Sequence, residues 1–363
     1  MPIENTELST EKQLRKYYSN LLFMLAAPAL MAWYYYGTRA LLLLTVCMVS
    51  SAVFSFFGTV FTQPRVKPPY DYSAFFTGAV IALMLPAYFS LPLAIAGCAF
   101  AIIVAKMPFG TTHKAPFVPA AAGFAFLSVC WPEQVFSYPE LLDKIDLFSF
   151  AKLPGSAGSS LAAMIQVGNS VRLSHINVFH ILTGSIPGPM GTGVILILIA
   201  AAFYFLFTRP SALLNTIGFL FTCATIALVF TRVESESLSL FVRSIFSGSF
   251  KWMNSGRVAS VFLELCSGSL IFVALFLLTA DTAESPQKPL PRLAYGIFTG
   301  ILCMGMRHFG AYEQGACFAI LLANAVWPFA GIRVERLRTS FVKKPAKTPA
   351  AQVEAHTGGV ADV

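Results

Sequence analysis

Ten apolar stretches fill most of this 363-residue chain, and they fall into two halves of five that echo each other. The echo is clearest around Lys106-Met107-Pro108-Phe109-Gly110 and Met306-Arg307-His308-Phe309-Gly310. In each, a basic residue and a Phe-Gly turn interrupt an apolar run, and a second run follows. Upstream, Phe76-Thr77-Gly78 and Cys266-Ser267-Gly268 sit at nearly the same offset. Five is odd, so consecutive halves of five spans enter a bilayer with opposite topology. Inverted repeats build a site near the midplane between two half-domains. The pattern predicts an all-α membrane protein of about ten transmembrane helices in two inverted five-helix repeats, and a function in moving something through or across a membrane.

Composition agrees. The chain is 56% hydrophobic and 12% charged, whereas a soluble domain carries about 25% charged residues. At roughly 20 residues per span, ten spans use about 200 residues, leaving one sizeable loop and two tails. The net charge of +8 reads as topology, and no nucleic-acid partner is expected. The first 19 residues are polar, so no cleavable signal is expected. Cys47, Cys98, Cys130, Cys223, Cys266, Cys303 and Cys317 all lie in or at the ends of apolar runs and read as small core residues. The histidines His113, His175, His180, His308 and His356 are scattered, which argues against a haem or metal pair.

The first five spans are expected near Leu21–Tyr36, Ala40–Phe61, Ser73–Leu85, Leu91–Ala105 and Pro116–Cys130. The second five are expected near Val194–Phe207, Ala212–Phe230, Val258–Thr279, Leu293–Met306 and Gly315–Ile332. This divides the chain into a cytoplasmic segment 1–19, a first repeat 20–131, an outer loop 132–193, a second repeat 194–332 and a disordered cytoplasmic tail 333–363. With the N-terminus inside, sixteen of the 25 Lys+Arg fall on the cytoplasmic side, six of them after Ile332. That bias supports an N-in, C-in chain with Trp131–Gly193 outside. Trp33, Trp131 and Trp327 lie near span ends, as an aromatic belt places them.

Four ionisable groups fall inside spans or at their edges. Glu264 is the deepest and needs a partner, a proton or a cation; it lies on an ion path or sits at a boundary. Asp71 either caps a helix, coordinates a cation or orients a redox group. Lys106 and Arg307 occupy matching places in the repeats, as interfacial anchors or as partners of an anionic cofactor phosphate.

Asp71-Tyr72-Ser73-Ala74-Phe75-Phe76-Thr77-Gly78, ending at Leu85-Pro86, resembles the D-G-S-A-x-x-T-G…L-P element of one membrane family. That family contains the RnfD component of the Rnf electron-transport complex and the NqrB component of the sodium-pumping NADH:quinone oxidoreductase. Ser185-Ile186-Pro187-Gly188 resembles its N-I-P-G turn, and Asp281-Thr282-Ala283-Glu284-Ser285-Pro286 its T-D-P-x-T-S-P loop. The run from Arg307 to Gly315, continued by Phe318–Ala325, resembles its final loop and helix. The similarity spans about residues 17–332.

The resemblance implies a fold like the urea and ammonium channels and a place in a redox-driven complex moving Na⁺ or H⁺ across a prokaryotic cytoplasmic membrane. Other membrane and soluble subunits would be the partners. It also implies a flavin mononucleotide (FMN) esterified in an S-G-A-T motif, whose nearest match here is Ala157-Gly158-Ser159-Ser160, with Ser160 as acceptor. The first Ser and the Thr of that motif are changed, and Pro154 stands where an acid is expected. An N-P-F-N-P-A run appears as Ala115-Pro116-Phe117-Val118-Pro119-Ala120, without its amides. Three readings stay open: FMN on Ser160, a non-covalent flavin near Lys106 and Phe109, or no cofactor, the chain then being a channel, transporter or scaffold subunit. On the first two readings the chain relays electrons through the flavin and helps couple them to Na⁺ or H⁺ movement, as an enzyme only in its place as a subunit of the complex.

Overall fold

The computed structural model describes residues 2–62, 71–109, 115–139, 160–167, 178–230, 256–280, 286, 288–310 and 314–342. Every regular element among them is helical. In chain order the helices are α1 (Pro2–Tyr36), α2 (Thr38–Thr62), α3 (Tyr72–Met84), α4 (Leu91–Ala99), α5 (Pro119–Cys130) and α6 (Pro132–Val135). Then come α7 (Leu161–Val167), α8 (Val178–Thr183), α9 (Ile195–Thr208) and α10 (Pro210–Val229). The last four are α11 (Gly256–Cys266), α12 (Leu270–Phe276), α13 (Pro289–Phe309) and α14 (Ala316–Val342). The chain divides into two compact units, Met1–Ala325 and Val326–Val363.

Among the described residues, three apolar helices are long enough to cross a membrane: Thr38–Phe61, Leu91–Phe109 and Pro210–Val229. Four shorter apolar helices accompany them: Tyr72–Met84, Pro119–Cys130, Ile195–Thr208 and Ala316–Phe329. Their outer faces carry large exposed apolar side chains, such as Val49, Val53, Phe56 and Phe57 on α2 and Leu196, Ile199, Phe203 and Phe207 on α9. Water would not tolerate stripes of this size, whereas lipid would.

The short α3 is buried along almost its whole length, from Ser73 to Met84. In α12, Leu270 and Phe272–Phe276 are likewise buried. These inner helices are enclosed by their neighbours: α1 and α2 pack on α3, while α9 and α10 pack on α12, and α2 packs on α4 as α10 packs on α13. Small residues permit the closest approaches. A Cβ on Gly296 of α13 would lie 2.2 Å from the Asn215 carbonyl oxygen of α10. Such contacts hold helices together where lipid supplies little hydrophobic drive.

A helix that ends inside the protein leaves carbonyls unsatisfied. At the end of α12, Thr216 Oγ1 donates to the Ala274 carbonyl at 2.7 Å, Asn215 Nδ2 to that of Leu278 at 3.1 Å, and Tyr17 Oη to that of Thr279 at 2.9 Å. At the end of α3 the Gly191 N–H donates to Leu83 at 2.8 Å and the Met190 N–H to Leu85 at 3.2 Å. The Ser185–Gly188 turn and the Leu85-Pro86 stop thus belong to one piece of structure.

The helices stand close to the expected spans, with four differences, the first being that α1 begins at Pro2 and not near Leu21. The span expected at Val258–Thr279 is two helices, broken at Ser267-Gly268-Ser269, where Gly268 takes φ 64°. The one expected at Leu91–Ala105 ends in a wide turn over Phe100–Val104. The last helix continues to Val342, past the Ile332 boundary and into the segment expected to be disordered. Residues 63–70, 110–114, 140–159, 168–177, 231–255, 281–285, 311–313 and 343–363, with 1 and 287, lie outside the described residues. With them lie His113, His175 and His356, most of the Gly/Ser cluster and most of the acidic loop.

Candidate functional site

The first polar cluster gathers where α3 begins. Asp71 caps that helix: its Oδ1 accepts the Ser73 N–H at 3.1 Å and the Ser73 hydroxyl at 2.6 Å. Its Oδ2 accepts the hydroxyl of Ser55, on α2, at 2.7 Å, and pairs with the ammonium of Lys106. Lys106 follows the wide turn that ends α4, and its side chain is 5% exposed against 33% for Asp71. It also donates to Ser73 Oγ at 2.8 Å and reaches Ser55 Oγ at 3.4 Å. Three N–H donors thus face three oxygens. Burial alone would push the Asp71 carboxyl up; the Lys106 charge and the hydrogen bonds from Lys106, Ser73 and Ser55 outweigh it and hold its pKa below the ordinary value.

The second cluster gathers at the α11–α12 break. Arg307, in the last turn of α13, lies 3.5 Å from the Glu264 carboxylate, and the two side chains are 4% and 2% exposed. Its other contacts are the Ser267 hydroxyl and the Glu264 carbonyl at 3.3 Å. Ser267 Oγ donates to that same carbonyl at 2.8 Å. Beside it, Ser269 Oγ donates to Gln314 Oε1 at 3.1 Å, and Gln314 Nε2 donates to Tyr138 Oη at 2.8 Å.

The two clusters share a plan. In each, a cation at the end of a helix reaches back to an acid and a serine beside the start of a short buried helix. The structure therefore brings Asp71 together with Lys106, and Glu264 with Arg307. Sequence reasoning missed Ser55, Ser73, Gln314 and Tyr138. A signal existed for one of them: Cys47, Ser51 and Ser55 recur every four residues on α2, and all three are buried. Two thiol pairs repeat the plan, Cys47 of α2 beside Cys98 of α4, and Cys223 of α10 beside Cys303 of α13. Among the described residues no group of three His, Cys, Asp or Glu is arranged to hold a metal ion.

Ser160 lies elsewhere. It is 2% exposed, precedes α7, and its Oγ accepts the Ala163 N–H at 3.0 Å, as a helix cap does. It lines a cavity of about 30 Å³ with Gly188, Thr192, Cys266 and Gly268. Neither Lys106 nor Phe109 lines that cavity. Phe109 is 40% exposed, and no described contact joins it to a cofactor-sized space. A cavity of this volume admits about one water, while ligand sites run to about 300–1,000 Å³. The described residues around Ser160 do not fit a flavin.

The family model described as "NQR2, RnfD, RnfE family" matches residues 4–336. The D component of the ion-translocating oxidoreductase complex of Ectopseudomonas mendocina (strain ymp) is 28% identical over 267 residues, 71% of this chain and 71% of that relative. The protein of the same name from Mannheimia succiniciproducens is 26% identical over 335 residues, 83% of this chain and 87% of that relative.

Proposed function

This chain belongs to the NQR2, RnfD, RnfE family, and on that premise we propose that it is the D-type membrane component of an ion-translocating oxidoreductase complex. Its partners are the bilayer and the other subunits, membrane and soluble, of that complex. Residues 20–131 and 194–332 form two inverted halves of five spans joined by an outer loop, 132–193. Segments 1–19 and 333–363 face the cytoplasm of a prokaryote. The like packing of α2, α3 and α4 and of α10, α12 and α13 supports the repeat. A cysteine placed at Ser156 tests the topology: an impermeant thiol reagent reaches it in intact cells, and protection there overturns the arrangement.

The observation that carries the functional reading is the pair of buried acid–base clusters in matching places of the two halves. Under the proposed topology Asp71 and Lys106 lie toward the cytoplasm, and Glu264 and Arg307 toward the outside. An ion arriving at Asp71 meets a carboxylate flanked by the Ser55 and Ser73 hydroxyls. These are hard oxygen donors suited to Na⁺, and the carboxylate suits H⁺ equally. The ion competes with the Lys106 ammonium for those oxygens, and Glu264 offers the same choice between its ion and Arg307. Binding adds one positive charge to a pair that is neutral beforehand, so the Lys106 ammonium must swing away or release a proton, and the Arg307 guanidinium must swing away, as the ion arrives; a low-dielectric interior holds no uncompensated charge.

A second reading concerns the cofactor. FMN on Ser160 would supply one- and two-electron redox chemistry, but the 30 Å³ cavity and the changed attachment motif favour a component of the same complex that carries no flavin. No step of the proposed ion exchange passes through one. Glu264→Gln in the assembled complex, reconstituted in vesicles, tests the ion path. The amide keeps the shape and loses the charge, so ion uptake driven by electron transfer falls while the subunits still co-purify. Unchanged uptake with normal assembly would reduce Glu264 to a structural partner of Arg307.

A further inference from the structure

Between α1 and α9 lies a cavity of about 250 Å³, near the lower end of ligand-site volumes. Its two walls run antiparallel. Lys16 of α1 lines it together with Arg209, just past the end of α9, while Leu21, Met24 and Phe205 line the part further into both helices. The polar end thus coincides with two sequence boundaries: the apolar run of α1 begins at Leu21, and that of α9 ends at Phe207. In a bilayer this level is the interface between headgroups and acyl chains.

The chemistry of the lining is polarised in the same direction. Lys16 and Arg209 supply two positive charges, Asn20 and Thr208 add polar groups, and no Asp or Glu stands among the lining residues. The Arg209 guanidinium is held 3.9 Å from the centroid of the Tyr17 ring, a cation–π contact that sets its position. Tyr17 is itself anchored by its hydrogen bond to the Thr279 carbonyl. Outside the cavity, Phe23, Phe203 and Phe207 are 75%, 60% and 84% exposed, forming an apolar surface on the same two helices. A cationic rim over an apolar wall matches an amphiphile with a negative head.

We propose that this cavity binds the phosphate headgroup of an anionic phospholipid, whose acyl chains run along the exposed aromatic faces of α1 and α9. The headgroup phosphate lies between Lys16 and Arg209, and the glycerol reaches Asn20 and Thr208. Lipid phosphate and free phosphate share the charge that the rim recognises; only the lipid also uses Leu21, Met24, Phe205 and the outer apolar face. A zwitterionic lipid brings its own cation toward two fixed cations and is disfavoured. Because α1 and α9 come from different halves of the chain, a bound lipid clamps the two together. The proposal rests on insertion of the chain in a membrane and not on its redox role, so each can fail without the other.

Thermal unfolding of the full chain in detergent, titrated separately with phosphatidylglycerol, phosphatidylcholine and inorganic phosphate, tests the proposal. Phosphatidylglycerol should raise Tm saturably, and the other two should not. Each basic residue near an anionic lipid surface is worth about fivefold in affinity, so Lys16→Gln with Arg209→Gln should weaken apparent phosphatidylglycerol binding roughly thirty-fold. Since Arg209→Gln also removes the contact with Tyr17, two milder variants guard against a folding defect. Lys16→Gln alone changes an exposed side chain and should lose about fivefold, while Arg209→Lys, which keeps the charge, should retain most of the binding. Native mass spectrometry should find phosphatidylglycerol retained on the wild-type chain and lost from the double variant. Equal stabilisation by phosphatidylcholine, an equal effect of inorganic phosphate, or unchanged affinity in Lys16→Gln would each overturn the lipid assignment.

Discussion

Replacing Arg307 with methionine removes one charge from a pair in which both side chains are almost wholly buried, at 4% and 2% exposure. The lost guanidinium also strips hydrogen bonds from the Ser267 hydroxyl and the Glu264 carbonyl. Methionine fills much of the vacated volume, so the cost is mainly electrostatic. A buried pair broken on one side typically loses about 3–5 kcal/mol, because the remaining charge is left uncompensated. Adding Glu264→Gln removes that charge. A neutral pair of similar size often costs little, so the double variant should recover about 2–3 kcal/mol relative to the sum of the single losses. Equilibrium unfolding in mixed micelles of increasing sodium dodecyl sulfate content, followed by tryptophan fluorescence, measures all four corners of the cycle. The reasoning is refuted if Arg307→Met stays within about 1 kcal/mol of wild type, or if the double variant is as destabilised as the two singles added together.

The Asp71 carboxyl, held below its ordinary pKa, contributes stability that is present above the unfolded-state value of about 3.9 and is lost as pH falls through the lower folded value. Acid titration of unfolding should therefore show a loss below about pH 4 that Asp71→Asn flattens; identical profiles would contradict this. Gly296→Val sets a branched side chain where even a Cβ lies 2.2 Å from the Asn215 oxygen, so α10 and α13 must part at a cost of about 1–3 kcal/mol or more, read as a lowered Tm. Ser160→Ala removes the cap of α7 and should cost about 1 kcal/mol while leaving fluorescence unchanged. The wild-type chain should meanwhile show its unmodified intact mass, and a mass increased by FMN would refute the flavin-free reading.

Helix positions were legible in the sequence because lipid-facing helices are apolar all round and need nothing but length and composition to be recognised. The stops were legible too. Pro86 ends α3, and the Pro119 ring starts α5, since proline removes a donor and fits only a helix's first turn. Lys106 and Arg307 stood out because charge is rare in such a chain. What those charges touch was not legible. Asp71 and Lys106 are 35 residues apart, and Glu264 and Arg307 are separated by 43; only the docking of α4 on α2, and of both α11 and α13 on α10, brings each cation to its acid. The break at Gly268 also escaped, because the runs Val258–Leu263 and Leu270–Thr279 together cover the length of one span. It takes a positive φ and buried hydrogen bonds from Ser267 and Arg307 to the Glu264 carbonyl and from Ser269 to Gln314 to make the interruption stable. Ser160 could be picked from its neighbours in sequence, but the size of the space beside it depends on α11 and the Gly184–Gly193 segment folding over it. Composition sets where the chain becomes helical; which polar groups share one buried site is decided by helix packing, since charges in a low-dielectric interior persist only where tertiary contacts supply their partners.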